Sequence, residues 1–159
     1  MSSGTTSNHP LPERSSENFV TVLSISPIEA DHLFLRNVFS HSNWRVHGVR
    51  SRREAQLWLR RQYAPVVLCE ERLPDCGWQE VLRELGSLQD PPALIVTSRL
   101  ADEALWAEVL NLGAYDLLMK PFDLTEVFRV VSLAWRHWKN NWERARADSP
   151  WEGRRALSA

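Results

Sequence analysis

Cysteine is scarce in this chain, and the scarcity excludes a class of fold. Two cysteines in 159 residues, Cys69 and Cys76, cannot form a disulfide framework. No histidine pattern accompanies them, so a structural metal site has no support either. Both read as structural residues, Cys69 as an inert part of an apolar run. No apolar run is long enough to span a bilayer. The opening MSSGTTSNHPLPERSSEN has no apolar segment of the kind a secretory signal needs, so the expected location is the cytoplasm. A surplus of one charge sign is also missing. The formal net charge is -1, which gives the whole molecule no attraction for nucleic acid. No glycine-rich loop follows the first apolar segment, against a P-loop or dinucleotide fold. Internal repeats and sustained heptads are absent as well.

What the chain does contain is ordinary for a globular protein: 43% apolar and 25% charged residues, at a length that suggests one domain with tails. Residues 1–18 are rich in Ser, Pro, Asn and Thr and are expected to be a disordered tail. Beyond them, strand-like and helix-like segments alternate. FVTVLSI, WRVHGV, PVVLCE, ALIVTS and YDLLM read as strands. Between them lie EADHLFLRNVFSHS, REAQLWLRRQ, WQEVLRELGSL and DEALWAEVLNLG, with apolar residues at helical spacing, and LTEVFRVVSLAWRHWKNNWERAR follows as a long last helix. Gly113 is placed to close the fourth helix as its C′ residue. SPIE (26–29), SRRE (51–54) and DLTE (123–126) read as helix starts, the first as a capping box with Ser26 at N-cap, Pro27 at N1 and Glu29 at N3. Alternating strands and helices, with strands apolar almost throughout, predict a five-stranded doubly wound parallel α/β sheet of the flavodoxin-like type, with an extended C-terminal helix. The domain is expected over 19–140, and 141–159 as a helix extension and polar tail. In such a sheet, ligands sit beyond the carboxyl ends of the strands, which points to the residues after Ile25 and Val49, and to Glu70, Thr97–Ser98 and Lys120.

LNLGAYDLLMKPFDLTEV (110–127), VVLCEERLPDCG (66–77) and ALIVTSR (93–99) together resemble the receiver domain of bacterial two-component response regulators, the CheY-like family, over about residues 19–140. The resemblance implies phosphoryl transfer from a phosphohistidine to an aspartate ending the third strand, assisted by Mg²⁺. It places Lys120 at the phosphate-binding lysine, before a cis bond to Pro121, and Thr97 at the switch hydroxyl. It places Glu70 at the acceptor, Ser26 and Pro27 at the metal-binding acidic pair, and Leu117 at the aromatic switch position. Neither Ser26 nor Pro27 offers a carboxylate, and Mg²⁺ prefers octahedral oxygen ligation with one or two carboxylates. No cofactor is therefore expected, and Mg²⁺ in particular is not.

The expectation is a non-enzymatic, stand-alone signalling protein that acts by protein–protein contact, with a histidine kinase or a downstream signalling protein as partner. Glu70 has three open readings: an acceptor, a built-in mimic of the phosphorylated state reaching Lys120, or a relic ion pair. Glu29 and Asp31 read as favouring the first turn of helix one through its dipole, with metal ligation as the other reading. His32 is expected at the surface. Trp135, Trp138 and Trp142 lie along one stripe of the last helix and, where exposed, suggest self-association or partner docking; Phe128 and Val131 on the same stripe read as core. Two other readings stay open: a phosphoacceptor using Glu70 with displaced metal ligands, and an oligomerisation or membrane-surface module built on the Trp-rich helix. Nucleic-acid binding and membrane attachment are not expected, since no output module follows and the charges form no clean polar face.

Overall fold

A computed structural model describes residues 19–148; the tail expected over 1–18 and the end of the polar tail lie outside that range. Five parallel strands form one sheet in the order β2-β1-β3-β4-β5. They are β1 (Val20–Ile25), β2 (Trp44–Val49), β3 (Val66–Glu70), β4 (Ala93–Ser98) and β5 (Asp116–Met119). The connecting helices are α1 (Glu29–Val38), α2 (Arg52–Leu59), α3 (Trp78–Gly86) and α4 (Glu103–Asn111), and α5 (Leu124–Ala147) closes the fold.

Strand side chains alternate between the two faces of the sheet, and the two faces carry separate cores. Leu23, Ile25, Val67, Cys69, Leu94 and Val96 face Ala55 of α2, Trp78, Val81 and Leu85 of α3, and Leu105 and Val109 of α4. Val22, Val66, Leu68 and Ile95 face Leu35 of α1 and Val127, Val130, Val131 and Ala134 of α5. Strands covered on both sides can be apolar at every position, which explains the unbroken VVLC run. Burial also keeps both thiols protonated: it raises that of Cys69 far above its usual range and that of Cys76 to about 11.

Local signals position the ends. Gly113 has φ of 101°. Its N–H donates to Leu110 O, and Ala114 N–H donates to Val109 O. That is a Schellman closure, and it needs a residue without a Cβ penalty in the left-handed region. Ser51 accepts from Glu54 N–H at the start of α2, and Asp123 accepts from Thr125 N–H at the start of α5. Asp75, in the loop after β3, accepts from the N–H groups of Arg52 and Arg53 and so adds a tertiary cap to α2. Desolvation, the largest single influence, works to raise the Asp75 carboxyl, but these amides and the Arg52 charge together hold it below its usual value.

The SPIE capping box does not form. Helix α1 begins at Glu29, with Ile28 at N-cap and no side-chain cap. The Ser26 hydroxyl is occupied otherwise: it accepts from Ile28 N–H and donates to Asp31 Oδ2 at 2.7 Å. The aromatic stripe of α5 also differs from expectation. Val131 is core, but Phe128 is exposed, although it lies 5.7 Å from Phe39. Trp135, Trp138 and Trp142 are half-buried rather than exposed. Trp135 packs edge-on against Trp44, Trp138 against Tyr63, and Trp142 stacks on Trp138 beneath the Arg146 guanidinium. At its 24 residues, α5 is about 36 Å long and outruns the sheet, so these rings cover one another where no strand remains to cover them.

Candidate functional site

The carboxyl ends of β1, β3, β4 and β5 lie side by side at one edge of the parallel sheet. Glu70 and Thr97 are direct partners in the β3–β4 register. Residues of even number on β3 and odd number on β4 face α1 and α5, so both side chains point toward that layer. Thr97 Oγ1 donates to Glu70 Oε2 at 2.9 Å. Lys120 follows β5 directly, joined by a cis bond to Pro121. Its ammonium lies 2.6 Å from Glu70 Oε2 and 2.8 Å from Asp31 Oδ2. The lysine side chain is 3% exposed.

Sequence reasoning offered Asp31 as a helix-dipole partner, with metal ligation as the other reading, and not as a partner of Lys120. Asp31 lies in the first turn of α1, as the dipole reading required, but its carboxylate is directed inward to Lys120. Eighty-nine residues separate the two, so no local spacing could reveal the pair. Ser26 supports Asp31 from behind, while Pro27 contributes only its carbonyl, which accepts from Arg50 Nη2.

His32 corrects the sequence expectation outright: it is buried, not on the surface. Its Nε2 lies 2.9 Å from the Ser26 carbonyl and its Nδ1 2.9 Å from Ser24 Oγ. A carbonyl only accepts, so Nε2 carries the proton. Both ring nitrogens are thus satisfied inside the fold. Gly48, the register partner of Ser24 on β2, makes the room. A Cβ there would stand 2.7 Å from the imidazole Cγ. Gly48→Ala is expected to cost about 1–3 kcal/mol by overpacking, read as a lowered urea midpoint; an unchanged midpoint would contradict this placement of His32.

One hydrogen-bonded chain therefore crosses the sheet edge: Ser24, His32, Ser26, Asp31, Lys120, Glu70, Thr97. Electrostatically, one ammonium neutralises one of two carboxylates. Leu117, within β5 ahead of Lys120, is half-buried and borders a groove of about 490 Å³ with Trp106, Met119, Glu126 and Arg129. Trp106 is 51% and Met119 56% exposed. Trp135, Trp138 and Trp142 lie on the α5 extension and take no part in the polar chain.

The family model for the response regulator receiver domain matches residues 30–132. The chain belongs to the response regulator receiver family. Curated relatives agree: it is 28% identical over 100 residues to the regulatory protein AtoC of Escherichia coli (strain K12), covering 63% of this chain and 22% of that one. It is 32% identical over 73 residues to the transcriptional regulatory protein FixJ of Rhizobium meliloti (strain 1021), covering 45% of this chain and 35% of that one. The receiver thus spans about a fifth to a third of the length of these relatives. Among solved structures, the signal receiver domain of an HD domain-containing protein from Pseudomonas fluorescens Pf-5 superposes with a TM-score of 0.72 at 22% identity, covering 80% of this chain and 94% of that one. The beryllofluoride-activated NtrC4 receiver domain dimer gives 0.69 at 18% identity, covering 74% and 98%. At these identities the likeness concerns the fold alone. The receiver is therefore a module of two-component signalling with the CheY-like flavodoxin fold. No helix among its described residues is long and apolar enough to cross a membrane.

Proposed function

We propose that this receiver signals through protein–protein contact without taking up a phosphoryl group, and that Glu70 permanently fills the place of a phosphorylated acceptor. The observation that carries the reading is the pair of contacts on one oxygen: Thr97 Oγ1 at 2.9 Å and Lys120 Nζ at 2.6 Å from Glu70 Oε2. In the family these two side chains bind phosphoryl oxygens, and here a carboxylate of the chain already satisfies both. Glutamate is one methylene longer than aspartate, which helps it span the gap.

Mg²⁺ does not fit the residues present. Ser26 and Pro27 stand where the acidic pair belongs, and Ser26 Oγ is spent on Asp31 and Ile28. The two carboxylates that do reach the site share the Lys120 ammonium. A phosphodonor dianion arriving beside a net negative cluster, with no divalent cation to offset it, meets like-charge repulsion. The docking face is that of α4, β5 and α5, where Trp106 and Met119 stand exposed beside Leu117. Its partner is a kinase or a downstream signalling protein. The test is to follow backbone amide resonances at Glu70, Thr97 and Lys120 while Mg²⁺ and a small phosphodonor are added. Unmoved resonances are expected; saturable shifts at all three would sink the reading.

A second reading, self-association through α5, draws on the overhang. Trp138 and Trp142 wall a groove of about 480 Å³ beside Tyr115 and His137, opposite Pro91 and Pro92. Truncation after Asn140 should then convert a dimer to a monomer in sedimentation, and a wild-type monomer would dismiss it.

A further inference from the structure

Glu71, the second carboxylate at the end of β3, is not used by the reading above. Its Oε2 accepts from Ser98 Oγ at 2.6 Å. Ser98 Oγ in turn accepts from Leu100 N–H at 2.9 Å. The Glu71 backbone extends the ladder past the strand end, donating from its N–H to Thr97 O at 2.8 Å, and its carbonyl accepts from Trp78 N–H. A carboxylate only accepts, so the direction of the relay is determined: Leu100 N–H to the Ser98 hydroxyl, and the hydroxyl to Glu71.

Alternation along the strands separates this pair from the Glu70–Thr97 pair. Cys69 and Val96 belong to the core under α2, α3 and α4, and two residues further along the same face come Glu71 and Ser98. Two adjacent carboxylates, at the last residue of β3 and the one after it, thus grip two adjacent hydroxyls of β4, one pair on each face of the sheet. The pair on the α4 side holds the segment that leads into Asp102, the N-cap of α4, whose carboxylate accepts from Leu105 N–H. Ser98 is fully buried, so its hydroxyl has no competing water.

We propose that Glu71 and Ser98 are positioning residues: a permanent latch that sets the β4–α4 loop, and with it the placement of Leu100 and Trp106 for docking, separately from the Glu70 clamp. The functional consequence rests on the docking face proposed above; the latch itself does not. In family terms, the segment after the switch hydroxyl is held here by the chain's own carboxylate, whatever happens at Thr97.

Amide hydrogen exchange of the full chain, resolved by residue, tests the latch. Ser98→Ala should speed exchange at Leu100 by roughly tenfold, the order expected for one lost hydrogen bond that closes a local opening, and Glu71→Ala, which keeps the acceptor of Leu100 but releases the Ser98 hydroxyl, should speed it in the same direction by less. The double variant should gain nothing beyond Ser98→Ala, because the bond to Leu100 is already lost there. Glu71→Gln keeps an acceptor and should retain most of the protection. Val67, in the central strand, should exchange at the wild-type rate throughout, and Glu70→Ala should leave Leu100 unchanged. Leu100 exchanging as in the wild type in both alanine variants would overturn the proposal, as would equal acceleration at Val67, which marks general destabilisation. A phosphoryl adduct on the wild-type chain would instead remove the docking-without-phosphorylation reading and leave the latch standing.

Discussion

Lys120→Met should lower the free energy of unfolding by about 3–5 kcal/mol, the usual cost of removing one partner from a buried ion pair. The lysine side chain is 3% exposed, Asp31 10% and Glu70 14%, and the ammonium is within 2.8 Å of both carboxylates. Methionine keeps the length of the stem but leaves two negative groups facing one position. Ser26 and Thr97 still donate to them, yet two hydroxyls cannot replace a cation. Adding Asp31→Asn and Glu70→Gln to the same background should recover most of the loss, because neutral amides need no counter-charge. Urea unfolding followed by circular dichroism gives both numbers. A loss below about 1 kcal/mol, the range of an exposed pair, would show that the three groups are not held together as described.

Trp78→Ala should cost a similar about 3–5 kcal/mol, the range for emptying a large aromatic site in a core. Trp78 is the largest fully buried side chain among the described residues, and it belongs to the cluster under α2, α3 and α4. It is also the first residue of α3, and its N–H bonds the Glu71 carbonyl. The cavity therefore opens directly behind the loop that begins at Glu71, just past the end of β3. Trp78→Phe keeps most of the volume and should cost markedly less. Equal losses for the two variants would mean that the ring's size is not what supports the loop.

The parts of this receiver that its sequence made legible are those set by local rules. Strands apolar on both faces, the SRRE and DLTE helix starts, Gly113 and the run into Lys120–Pro121 all appear where neighbouring residues require them. Contacts between distant segments were legible only where the family resemblance placed them, as for Glu70, Thr97 and Lys120. Asp31 could be read as a dipole partner from its place in the first turn of α1, but its meeting with Lys120 depends on how α1 and β5 lie across the sheet edge. The SPIE box matched a capping pattern, and local competition for the Ser26 hydroxyl, from Ile28 N–H and the Asp31 carboxylate, overrode it. His32 looked like a surface residue because a lone histidine gives no sign of burial. The available signal was Gly48, a glycine inside a strand, which marks close approach of another group. The tryptophans of α5 looked exposed because no strand extends beneath them; their cover is Trp44, Tyr63 and one another.

The most direct test of a receiver that signals without phosphorylation is the intact mass of the wild-type chain after incubation with a small phosphodonor and Mg²⁺, beside a Glu70→Asp variant. The wild type should keep its mass unchanged, with Glu70 held by Thr97 and Lys120. A single phosphoryl adduct on the wild type, traced to Glu70, would contradict the account and make the site a working acceptor.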